Sequence, residues 1–109
     1  MDINNTNIGQ KFYFIDKIYA NDTAVIECGV LKSMLPKWNF QDSFGSTYKR
    51  EENILFNTAT ISGKEISKVV TNNGLIFDKL SNAILYCQSN DIDVLFGYSV
   101  VLQEGRNDN

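Results

Sequence analysis

The chain has 109 residues, of which 43% are apolar and 21% are charged, and its formal net charge is −3 at pH 7. These values predict one ordinary globular domain with a single core, and the acidic balance argues against a protein that wraps nucleic acid over its whole surface. Histidine is absent, which excludes Ser-His and Cys-His nucleophilic catalysis and removes the commonest metal ligand, so we expect no enzyme activity, no metal and no cofactor.

The first residues are polar and precede a run that is typical of a strand. Residues 1–8 predict a flexible arm, residues 9–103 the globular domain, and residues 104–109 a polar tail. The run 11–15 is aromatic and β-branched, which predicts the first strand. Asparagine and aspartate in residues 20–22 then predict a turn.

A long second strand is predicted over residues 23–34, where apolar residues alternate. Gly29 lies near its middle and indicates a bulge or a sharp bend. Pro36 is expected to end this strand. Residues 36–47 show no helical or strand period but contain the only tryptophan and two phenylalanines, and long irregular segments of this kind are often functional.

Strand character resumes in the second half of the chain. Residues 48–59 and 65–71 each alternate between apolar and polar positions. Asn73-Gly74 lies between apolar runs, which predicts a hairpin that returns the chain through residues 75–77.

One helix and one last strand complete the prediction. Residues 78–89 are the helix candidate, with Asp78 or Ser81 as the expected N-cap. Residues 92–102 alternate again and predict the final strand. The apolar face of the helix repeats at i, i+3, i+4 and i+7, through Leu80, Ala83, Ile84 and Cys87.

This order of elements predicts an α+β, mainly β fold. We expect a strongly bent antiparallel sheet, or a partly open small barrel, with one helix in the C-terminal half.

The two cysteines, Cys28 and Cys87, both lie in apolar stretches and are expected to be buried free thiols. The first residues lack the basic and apolar regions of a signal peptide, and no apolar run is long enough to span a membrane. We therefore expect a cytoplasmic protein that does not contact membranes.

Residues 8–15 have a glycine ahead of an aromatic strand, residues 24–30 form a strand with a central glycine, and residues 77–83 begin a helix with phenylalanine. These three segments resemble the small SH3-like β-barrel proteins of phages and mobile elements. The resemblance implies a barrel-like fold and a viral source, but it implies no activity. Asparagine occurs thirteen times, a bias that fits an AT-rich genome such as that of a low-GC bacterium or its phage.

The strongest candidate for a binding site is the segment 37–50, where aromatic and basic residues interleave. Such side chains favour a protein interface, because Trp, Tyr and Arg are enriched in interface hot spots. They also fit the stacking of single-stranded nucleic acid, or a small satellite core under a loop. The candidate partner-binding residues are Trp38, Phe40, Phe44, Tyr48, Lys49 and Arg50.

Two hypotheses about function follow. The first is a non-enzymatic, acidic protein-binding module, in its most concrete form a phage-encoded inhibitor or modulator of a host nucleic-acid-binding defence protein. An acidic surface would compete with phosphate backbones for a basic channel. The alternative is a small single-stranded nucleic-acid-binding barrel that uses the aromatic and basic residues of segment 37–50.

Overall fold

The computed structural model describes residues 3–39, 49–59, 63–70 and 73–105, which contain six strands and two helices. Short 3-10 turns lie at Asn5–Asn7 and Asn73–Leu75. The strands are β1 (Lys11–Ile18), β2 (Thr23–Asn39), β3 (Lys49–Ala59), β4 (Glu65–Val70), β5 (Ile76–Phe77) and β6 (Asp93–Phe96), and the helices are α1 (Leu80–Ser89) and α2 (Tyr98–Gly105).

The long strand β2 organises the sheet, because β1, β3 and β6 all pair with it. On one edge it pairs antiparallel with β1, over residues 24–30. Its other edge is shared: β6 pairs in parallel with residues 23–26, and β3 pairs antiparallel with residues 30–39. β4 pairs with β3 and β5 pairs with β1, which gives the order β4-β3-β2-β1-β5.

Both faces of β1 are buried. Its successive side chains point to opposite faces of the sheet, and the four consecutive residues 12–15 are all buried. One face joins an inner cluster around which the sheet bends, where Phe14 stacks on Phe56 with ring centroids 4.6 Å apart. The bend brings β4 towards β1, and Lys68 Nζ lies 3.2 Å from Asp16 Oδ2. The inner cluster consists of Ile3, Phe12, Phe14, Leu31, Ile54, Phe56, Val70 and Ile76.

The opposite face of the sheet is covered by the two helices. α1 supplies Ala83 and Cys87, and α2 supplies Val100, all of them almost fully buried. The resulting helix-side cluster consists of Tyr13, Ile15, Ala24, Ile26, Cys28, Ala83, Cys87 and Val100. The domain is therefore a bent sheet with a core on each side.

The predicted fold class is confirmed: the chain is α+β and mainly β, with a bent antiparallel sheet that is not closed and one main helix. β1, β3 and β4 lie where the alternating patterns predict strands, and α1 lies within the predicted helix 78–89. β6 is the exception to the antiparallel arrangement, because it runs parallel to β2.

Three details of the sequence prediction are wrong. Pro36 does not end β2, which continues to Asn39. The predicted strand 92–102 ends at Phe96, and α2 takes the place of its second half. Leu75–Phe77 does not form a hairpin with β4, since β5 pairs with β1 instead.

The helix cap also differs from expectation. Lys79 is the N-cap of α1 and makes no side-chain capping hydrogen bond. Asp78 instead accepts a hydrogen bond from the Asn82 amide at 3.2 Å.

The predicted flexible arm over residues 1–8 includes a capped turn in its described part. Asn4 accepts a hydrogen bond from the Thr6 N–H at 2.9 Å, and Asn7 accepts one from the Asn4 N–H at 2.9 Å. Ile3 is buried in the inner cluster. The described part of the arm is thus attached to the inner core through Ile3.

Candidate functional site

The β2–β3 pair extends beyond the core as a two-stranded ribbon, which we define as residues 35–39 and 49–53. Among the residues whose side chains the structure describes, Met34 and Ile54 are the last pair of this ladder, and both pack in or against the inner cluster. Five further residue pairs follow, and among the described residues no third strand joins them. At a rise of about 3.3 Å per residue, the ribbon reaches roughly 15 Å past the core.

The ribbon brings part of the predicted site into register. Trp38 lies directly opposite Arg50, and Lys49 lies opposite Asn39. Residues directly opposite each other in an antiparallel pair are the ones that interact across the strands. Phe40, Phe44 and Tyr48 lie outside the described residues. Sequence composition selected this segment, but the pairing of Trp38 with Arg50 follows only from the register.

Acidic positions occupy the same ladder closer to the core. Glu51 lies opposite Lys37, and Glu52 lies opposite Pro36. Opposite charges paired across strands stabilise a ladder modestly, by about 0.2–1 kcal/mol. Because Glu51 and Glu52 directly follow Lys49 and Arg50 along β3, the ribbon carries no uniform basic track of the kind that follows a phosphate backbone.

A second feature lies where β2 passes from β6 to β3, because no described strand covers that edge at Cys28. Its backbone N–H donates to Ser99 Oγ at 2.8 Å, and its carbonyl accepts from Thr58 Oγ1 at 2.8 Å. Ser99 Oγ in turn donates to Glu27 Oε1 at 2.7 Å. Side chains of α2 and β3 therefore form hydrogen bonds with the buried backbone N–H and carbonyl of Cys28.

No sequence signal points to this network. It depends on which strands end beside Cys28, and this is a property of the assembled sheet.

A cleft of about 160 Å³ opens beside Cys28, with Lys11 and Glu65 among its lining residues. This volume holds a few water molecules. Its two buried hydroxyls, those of Ser99 and Thr58, are both committed to the Cys28 peptide groups. The cleft accordingly offers space for water beside the network.

The two cysteines are free and buried, as the sequence predicts. Burial raises the pKa of the Cys87 thiol above its usual value. Because the thiolate is the reactive form, this thiol is protonated and inert near neutral pH. Cys87 therefore acts as a small apolar side chain in the helix-side cluster.

The described residues contain no group of three or more His, Cys, Asp or Glu side chains arranged to hold a metal ion. Within the same part of the chain, no helix is both long and apolar enough to cross a membrane.

Comparisons with known proteins give no relative. No protein-family model, no curated protein and no solved structure matches the chain. The likeness to SH3-like barrel proteins therefore rests on the three short sequence segments alone.

Proposed function

We propose that the chain is a non-enzymatic protein-binding module and that the ribbon carries its partner-binding surface. The observation that carries this proposal is the continuation of the β2–β3 ladder for five residue pairs beyond Met34 and Ile54, where no third described strand joins it. A ribbon beyond the core adds little to folding, since an isolated two-stranded hairpin is only marginally stable in water. Its Trp and Arg positions are the residue types enriched in interface hot spots.

The partner is a protein with a basic surface, and the most concrete candidate is a nucleic-acid-binding host defence protein inhibited by a phage-encoded module. The net charge of −3 supports this choice, because an acidic protein is attracted to channels that normally bind phosphate backbones. In this proposal Trp38, Lys49 and Arg50 act from the ribbon, together with Phe40, Phe44 and Tyr48 from the segment that connects its strands.

An affinity pull-down from a lysate of a low-GC bacterium tests the proposal. The full chain is expected to capture one basic, nucleic-acid-binding protein in stoichiometric amount. Trp38→Ala is expected to weaken capture by at least about tenfold, since hot-spot residues contribute about 2 kcal/mol or more. Leu85→Ala is the matched control, because Leu85 is an exposed apolar residue on α1, and it should leave capture unchanged.

Two results would contradict the proposal. Equal loss of capture with Trp38→Ala and Leu85→Ala would place the interface elsewhere. Retardation of single-stranded DNA at low salt, steeply weakened by added salt and by Trp38→Ala, would favour the nucleic-acid-binding alternative instead.

A further inference from the structure

β6 is paired on one side only. The Gly97 N–H donates to the Ile26 carbonyl of β2, and the Asp93 N–H donates to the carbonyl of Asp22, the residue just before β2, each at 2.8 Å. Because alternate residues of a strand direct their backbone groups to the same edge, the peptide groups of Val94 and Phe96 face away from β2. No described residue pairs with them there. This free edge of β6 is a template for another strand.

Large exposed apolar side chains lie on β6 and on the helix that follows it. Leu95 is 52% exposed, Phe96 is 49% exposed, and Val101 in the following helix α2 is 56% exposed. Leu95 and Phe96 are neighbours in a strand, so they point to opposite faces of the sheet. A strand laid along this edge would therefore meet an apolar side chain on each face.

Three exposed aspartates, Asp22, Asp91 and Asp93, lie near the start of β6. Asp91 lies just before β6 and Asp93 is its first residue. The Asp93 N–H donates to the Asp22 carbonyl at 2.8 Å. None of the three carboxylates forms an ion pair with another described residue. Their charge favours a basic occupant and disfavours a second copy of this acidic chain, which would bring like charges together.

We propose that the free edge of β6 receives an extended segment of a partner protein in which apolar residues alternate with lysine or arginine. Such a segment would join the sheet as an added strand, with its main chain bonded to Val94 and Phe96 and its basic residues near the three carboxylates. This surface is separate from the ribbon, because Ile26, beside β6, and Trp38 lie roughly 40 Å apart along β2. It therefore does not depend on the ribbon's proposed role.

Amide hydrogen exchange followed by NMR on the full chain tests this inference. The probe is a synthetic peptide of about ten residues in which valine alternates with lysine. At saturating peptide, exchange at Val94 and Phe96 is expected to slow by at least about tenfold. Exchange at Leu95 and Gly97 should change little, because their amides already face β2. This alternation distinguishes strand addition from general tightening.

Two matched changes test the chemistry of the occupant. Leu95→Lys is expected to weaken peptide binding by about tenfold, since it replaces apolar contact with a like charge. Val69→Lys is the control, because it makes the same change of charge at a side chain that is also 52% exposed but lies on β4. This variant should bind the peptide with an affinity within about twofold of wild type. A peptide with glutamate in place of lysine should bind at least about tenfold more weakly.

Three results would overturn the inference. One is an absence of slowing at Val94 and Phe96 at about 1 mM peptide. Another is slowing that maps to β4 instead. The third is slowing without peptide that grows with protein concentration, which would make a second copy the occupant. The test uses neither a lysate nor ribbon variants, so its failure is distinguishable from failure of the proposed function.

Discussion

Ser99→Ala removes the hydroxyl that accepts a hydrogen bond from the buried Cys28 N–H on the edge of β2. We expect this change to lower the free energy of unfolding by about 1.5 kcal/mol. A buried N–H left without an acceptor costs about 1–3 kcal/mol, and Cys28 is only 5% exposed. The adjoining cleft of about 160 Å³ admits water, which returns part of the lost hydrogen bonding. The expected value therefore lies in the lower half of that range.

Urea unfolding followed by circular dichroism measures this loss, with an unchanged m-value and a Tm lower by about 8 °C. Ser67→Ala is the matched control, because the Ser67 hydroxyl is exposed and lies 3.5 Å from Asn57 Oδ1. It should cost less than about 0.5 kcal/mol. If Ser99→Ala costs no more than Ser67→Ala, Ser99 does not hold this edge of β2 and the reasoning fails.

Three further predictions address the core, the surface and pH. Phe56→Ala should lower the free energy of unfolding by about 4 kcal/mol, because Phe56 is fully buried and stacks on Phe14. A loss below about 1 kcal/mol in urea unfolding would contradict the central place of Phe56 in the inner cluster. Lys68→Ala should cost less than about 1 kcal/mol in thermal unfolding, since its ion pair with Asp16 is partly exposed, and a larger loss would mean that β4 depends on it. Burial raises the pKa of the Cys87 thiol above 9.0 in the folded chain. The stability that this buried thiol contributes is therefore fully present at neutral pH and is lost as pH rises past about 9, where the thiol of the unfolded chain ionises first. The urea midpoints of wild type and Cys87→Ala should converge there, and a constant difference would refute this prediction.

Local sequence patterns are sufficient to predict an element where its buried residues follow one clear pattern. The helix α1 is an example, because Leu80, Ala83, Ile84 and Cys87 recur at helical spacing and all pack in or against the helix-side cluster. β1 is another, since its dense aromatic and β-branched run supplies residues to both cores. In such segments burial and local propensity favour the same structure.

The predicted strand 92–102 failed for a reason that only the assembled sheet contains. Its alternation continues past Phe96, but from Val30 onwards β3 occupies the edge of β2 along which β6 would have to run. The chain turns away at Gly97, where an added Cβ would collide with the Glu27 carboxylate. Tertiary competition for one strand edge thus overrides a period-2 pattern.

Gly29 shows the same limit on a smaller scale. Its position predicts a bulge or a sharp bend, and the register shift in β2 lies between Leu31 and Ser33 instead. A Cβ on Gly29 would lie 2.6 Å from the Asn57 carbonyl oxygen. The glycine permits close approach of β2 to β3, which sequence reading alone does not distinguish from a bulge.

The candidate site was only partly predictable. Composition selected segment 37–50, but Pro36 was expected to end β2 before it. In the ribbon, β2 has a described partner on one side only, so a proline there breaks no second ladder. The opposite positions of Trp38 and Arg50 depend on this continuation of β2. The same continuation is the basis of the proposed function.

The most direct test of the central claim is site-specific photo-crosslinking from the ribbon. A photoreactive phenylalanine analogue replaces Trp38 in one sample and Leu85, which is 58% exposed on α1, in another, and both are irradiated in the same bacterial lysate. The account predicts one crosslinked, basic, nucleic-acid-binding protein from position 38 and none from position 85. Crosslinking to no protein from position 38, or to the same proteins from both positions, would contradict it.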